Sequence, residues 1–133
     1  MLGKLFGKKK NQSNAPKDSI QKQSFSLQTE YKEYTNEEIN ALLLTEIINS
    51  DIDIWGFMVL APANPIEGSI FMQVTQVNDE GFPFFIEIGF GSKLHRLITK
   101  DKNIVLQHMT TYWQEMRIPD ISLWEDVSDI IQN

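Results

Sequence analysis

Two stretches of alternating residues, separated by a turn, constrain this chain more than anything else in it. From Ser69 to Val77, Ile70, Met72 and Val74 alternate with Gln73 and Thr75. From Phe84 to Phe90, Ile86 and Ile88 alternate with Phe85, Glu87 and Gly89. A period of two places one set of side chains on each face of a strand. Between the stretches lies Asn78-Asp-Glu-Gly81, whose glycine suits a positive φ. The spacing predicts an antiparallel hairpin with one apolar face and one face carrying Gln73, Thr75 and Glu87.

Further elements are read around that hairpin. Phe25, Leu27, Thr29 and Tyr31 alternate in an edge strand or an extended lead-in. Thr35-Asn-Glu-Glu38 reads as a capping box, followed by Ile39, Leu42, Leu43 and Ile47 at helical spacing, which predicts a helix of about 13–15 residues. Ile54 to Leu60 is almost wholly apolar, as in a central strand buried on both sides, and Pro62 and Pro65 end it. Leu94 to Ile98 reads as a shorter strand. Asp101 is placed as an N-cap. Val105, Met109, Tyr112, Trp113 and Met116 give the next helix its apolar face, and Pro119 stops it. A second box, Ser122-Leu-Trp-Glu125, opens a last short helix with Leu123, Val127, Ile130 and Ile131. The expected fold class is α+β: an antiparallel sheet of three to four strands, an N-terminal helix and two C-terminal helices.

Charge divides the chain at about Gln23. Residues 1–22 hold six lysines and one aspartate, a net +5, and residues 23–133 hold six basic and seventeen acidic groups, a net −11. The reading is therefore a basic, disordered arm over residues 1–23 and a single acidic α+β domain over 24–133. Leu2, Leu5 and Phe6 fall on one face of a helical arm among lysines, a pattern suited to brief contact with an anionic membrane; a solvated basic tail is the plainer expectation. No apolar run has the length of a signal or a membrane span, so a cytoplasmic protein is expected. An acidic body repels phosphate backbones and argues against nucleic acid.

Catalytic signals are sparse. The chain has no cysteine, which removes thiolate metal sites and cysteine nucleophiles. His95 and His108 stand apart, without the spacing of a helical metal site; a grouping of His95, His108 and Glu87 requires the fold to bring them together. Gly89-Phe-Gly91-Ser-Lys93 lacks the third glycine of a dinucleotide loop and reads as flexibility at a strand end. No cofactor is expected. The residues set aside for partner binding are Gln73, Thr75, Glu87, Trp124, Glu125 and Asp126.

Phe71-Met-Gln-Val74, the turn at Asp79-Glu-Gly81 and Ile86-Glu-Ile88 resemble the type III secretion chaperone-like (TY-Chap) domains, as do Trp113, Pro119 and Trp124 toward the C-terminus. The likeness covers about residues 35–131. Tyr112 stands where the family has glycine before Trp113, and Leu123-Trp124 where it has Asn-Trp. The resemblance implies a chaperone-like α+β fold, protein binding without catalysis, and self-association as a dimer. The leading expectation is a non-enzymatic module, chaperone-like or immunity-type, that binds a basic effector or a secreted substrate. One alternative is a small-ligand binder or enzyme built on Glu87, His95 and Arg96. Another is a peripheral membrane adaptor tethered by the arm.

Overall fold

The computed structural model describes residues 23–50, 56–77, 80–81 and 83–132. The basic arm, read as residues 1–23, lies outside the described residues except for Gln23, as do Ile54 and Trp55 at the start of the apolar run and Asn78-Asp79 in the hairpin turn.

The chain forms a seven-stranded antiparallel sheet in the order β2-β1-β3-β4-β5-β6-β7. The strands are β1 (Phe25–Thr29), β2 (Glu33–Tyr34), β3 (Phe57–Pro62), β4 (Phe71–Gln76), β5 (Phe84–Gly89), β6 (Leu94–Thr99) and β7 (Glu125–Asp126). Two helices, α1 (Ala41–Asn49) and α2 (Lys102–Thr110), pack against one another and cover one face. This corrects the expected three to four strands with one N-terminal and two C-terminal helices. The lead-in is a true strand, and β2 and β7 are two residues each, too short to show a period.

The third helix does not form. Glu125 and Asp126 instead pair with Arg96 and His95 on β6, and Ser128–Gln132 is a 3₁₀ turn. Leu123, expected on the apolar face of that helix, is 95% exposed. Of the expected stripe Val127 is buried while Leu123 and Ile130 are exposed, so a helix here would bury little apolar surface, and the sheet edge offers backbone hydrogen bonds instead.

The first helix is shorter than expected, and its face is turned. The Thr35 amide does donate to Glu38 Oε1 at 2.8 Å, but that box closes only a 3₁₀ turn, Asn36–Glu38. Asn40 then caps α1, accepting from the Leu43 amide at 2.8 Å. Leu44, Ile47 and Ile48 face the core, whereas Leu42 is 66% exposed. β3 is also not buried on both sides: Met58 and Leu60 are buried and Phe57 and Val59 only half-buried. Burial alternates because, among the described residues, the helices cover one face.

The expected β4–β5 hairpin forms, and its register sets Met72 opposite Ile88 and Gln73 opposite Glu87. Gly81 has φ 77°, a left-handed conformation that suits glycine. Core side chains cross the sheet in rows. Leu27, Leu60, Met72 and Ile88 make one; Met58, Val74, Ile86 and Leu97 make the next. Val105 and Met109 of α2 close over them. Each such burial contributes about 1.5–3 kcal/mol. After α2 the chain widens into a π turn, Thr111–Glu115, and leaves the helix at left-handed Met116, before Pro119 is reached. Tyr112, fully buried, shares a hydrogen bond with Ser69 Oγ at 2.8 Å. Burial raises its phenol pKa, which the Ser69 bond partly offsets.

Candidate functional site

Register brings Gln28, Val59, Gln73, Glu87, Arg96 and Glu125 into one row across six strands, on the face away from the helices. Glu87 sits at its centre. Gln73 Nε2 donates to Glu87 Oε1 at 2.6 Å, and Arg96 Nε donates to Glu87 Oε2 at 2.7 Å. Arg96 Nη2 lies 2.5 Å from the same oxygen. The Arg96 guanidinium stacks over the Phe85 ring, 4.4 Å from its centroid. Both oxygens of Glu87 are thus engaged, which is how a carboxylate only 7% exposed is tolerated on this face. Thr75 is in the next row, between Phe57 and Phe85, and donates to the Gly56 carbonyl at 3.3 Å. The Phe71 ring lies over Gly89, where a Cβ would collide with it.

The other expected site residues are placed differently. Trp124 is half-buried and meets His108 edge to face, with ring centroids 5.5 Å apart. Burial lowers the His108 pKa. Glu125 is exposed opposite Arg96. Asp126, also exposed, accepts from Ser128 Oγ at 2.5 Å and from the Ser128 amide at 2.9 Å, and these bonds lower its pKa.

His95 does not join Glu87 and Arg96. It alternates with Arg96 along β6 and lies in the Ile88 row, on the helix-covered face. Its ring meets Phe90 edge to face at 6.0 Å, and its Nδ1 is buried without a hydrogen-bond partner among the described residues. The Glu87–His95–Arg96 constellation is therefore divided by the sheet, and so is the His95–His108–Glu87 grouping. Among the described residues no three His, Cys, Asp or Glu side chains converge as a metal site. Gly91, at φ 83°, makes the tight turn between β5 and β6, closed by the Phe90 amide on the Lys93 carbonyl at 2.8 Å.

A second region was not anticipated. Residues 30–46 carry five glutamates (Glu30, Glu33, Glu37, Glu38 and Glu46) and one lysine, Lys32. The β1–β2 hairpin, the 3₁₀ turn and α1 hold them at one end of the sheet. There an open cavity of about 450 Å³ lies between the hairpin turn and the second half of α1. Tyr31, Tyr34, Leu43, Glu46 and Ile47 are among its walls. Lys32 Nζ lies 4.8 Å from the Tyr34 ring centroid. Glu33, Glu37 and Glu46 make no ion pair among the described residues. Four of the six cations of residues 23–133 sit instead between 93 and 102: Lys93, Arg96, Lys100 and Lys102. The density of glutamates beside Tyr31 and Tyr34 was a legible signal; that α1 would fold back to form a cavity with them was not.

Among the described residues no helix is long and apolar enough to cross a membrane. No family model matches the chain, and no curated protein or solved structure matches it.

Proposed function

We propose that this chain is a non-enzymatic protein-binding module whose partner presents a basic surface, such as a basic effector or a secreted substrate. The observation that carries the reading is the unequal use of its carboxylates. Glu87, the most buried acid among the described residues, is consumed by Arg96 and Gln73. The five glutamates of residues 30–46 are all exposed, with Lys32 the one cation in that stretch, and Glu33, Glu37 and Glu46 make no ion pair among the described residues. Exposed unpaired charge adds little to stability. The same charge raises the encounter rate with an oppositely charged protein and restricts which partners bind.

Affinity purification of the full chain from its native host, at low and at high salt, tests this. The expected result is a stoichiometric basic partner that is released as salt rises. Recovery of only acidic partners, or of none at either salt, contradicts the reading.

A further inference from the structure

We propose that the cavity between the β1–β2 turn and α1 receives a lysine or arginine side chain from the partner. This rests on the basic-partner reading and assigns the place where the basic residue is recognised.

The walls match the parts of such a side chain. Leu43 and Ile47 present aliphatic surface, on which the methylene stem of a lysine or arginine packs. Tyr31 and Tyr34 line the cavity, and an aromatic ring attracts a cation over its face through the ring quadrupole. Tyr31 is 68% exposed, a large aromatic left open beside the cavity. Glu46 supplies a carboxylate on the same wall. α1 ends at Asn49, so the negative end of its dipole points to this side. At about 450 Å³ the space lies within the range of ligand-sized pockets and exceeds what one side chain fills, leaving room for the flanking backbone.

A contact within the chain illustrates the chemistry. The Lys32 ammonium already lies over the Tyr34 ring at 4.8 Å. Lys32 is exposed and lines the same cavity, so it acts as a resident competitor that an incoming cation displaces. Glu30, Glu33, Glu37 and Glu38 lie close by in sequence, outside the cavity walls, and add to the field that draws a cationic partner in. An anionic ligand would meet the same field as repulsion.

The test is fluorescence anisotropy with a labelled octalysine peptide, and a labelled octaglutamate peptide as control, on the full chain. Octalysine should bind and octaglutamate should not, and raising salt from about 50 to 300 mM should weaken binding about tenfold. Tyr31→Ala and Glu46→Gln should each weaken binding about fivefold. Glu37→Gln removes the same charge away from the cavity walls and should change it less than about twofold. Lys32→Gln should tighten binding about threefold, because it removes the competitor. Circular dichroism melts confirm that each variant is folded. Equal losses for Glu46→Gln and Glu37→Gln, no loss for Tyr31→Ala, or weaker binding by Lys32→Gln each overturn the cavity assignment. If native-host purification still yields a basic partner, the module reading survives that failure and only the cavity is wrong.

Discussion

Glu87 and Glu46 are both glutamates of one small domain, yet the fold uses them in opposite ways. Glu87 lies in the middle of the sheet, 7% exposed, with Arg96 and Gln73 on its oxygens and Phe85 beneath the guanidinium. Its charge is cancelled where it stands. Glu46 lies on α1, exposed, on the wall of an open cavity with two tyrosines, and has no ion pair among the described residues. Its charge is directed outward. The contrast teaches that a net charge of −11 over residues 23–133 is a poor description of the surface. What matters is which carboxylates the fold has neutralised. Substitutions at the first kind of site should change stability, and at the second kind binding.

The largest expected effect is at the ion pair. Glu87→Ala leaves Arg96 half-desolvated without its partner and should cost about 3 kcal/mol in urea unfolding. The double variant Glu87→Leu with Arg96→Leu should recover most of that loss, because an apolar pair leaves no charge stranded. A loss under about 1 kcal/mol for the single change would show that the two regions do not differ as described. Next comes Asn40→Ala, which removes the cap of α1 and should cost about 1 kcal/mol without altering any charge. Weaker partner binding in that variant would show that the α1 wall, and not charge alone, forms the acidic region's binding surface.

His108 supplies a smaller, pH-dependent effect. Burial against Trp124 lowers its pKa, so the unfolded chain takes up a proton that the native fold resists. Its contribution to stability is full above about pH 6.5 and is lost as the pH falls toward the depressed value. Urea midpoints should decline over that interval, and His108→Gln should flatten the decline; an unchanged slope would remove His108 as the cause. Smallest of all, Glu37→Gln should shift stability by less than about 0.5 kcal/mol, as expected of an exposed carboxylate with no ion pair among the described residues. A larger shift would place Glu37 with Glu87 among the carboxylates the fold depends on.

The hairpin was legible because period two survives wherever one face of a strand is covered. Gln73, Thr75 and Glu87 were correctly placed together for the same reason. Arg96 could not be joined to them without the β5–β6 register, because alternation along β6 admits either Arg96 or His95 on that face. The β7 segment misled because Ser122-Leu-Trp-Glu125 satisfies a local helix rule while an open sheet edge nearby makes a better offer to the backbone. In α1 the apolar residues 42–44 and 47–48 allow two phases of one helix, and only tertiary packing selects Leu44, Ile47 and Ile48. The cavity needed the end of α1 to meet the β1–β2 turn, a contact between segments that no short window reads.

The central claim is that the outward-facing carboxylates, and not the neutralised centre of the sheet, meet the partner. Amide chemical-shift mapping of the isotope-labelled full chain, titrated with octalysine, addresses it most directly. The account predicts that the largest shifts cluster at residues 29–34 and 43–50 and fade as salt is added, while Gln73, Glu87 and Arg96 stay in place. Largest shifts along the Gln73–Glu87–Arg96 row, with residues 29–34 and 43–50 unmoved, would contradict it.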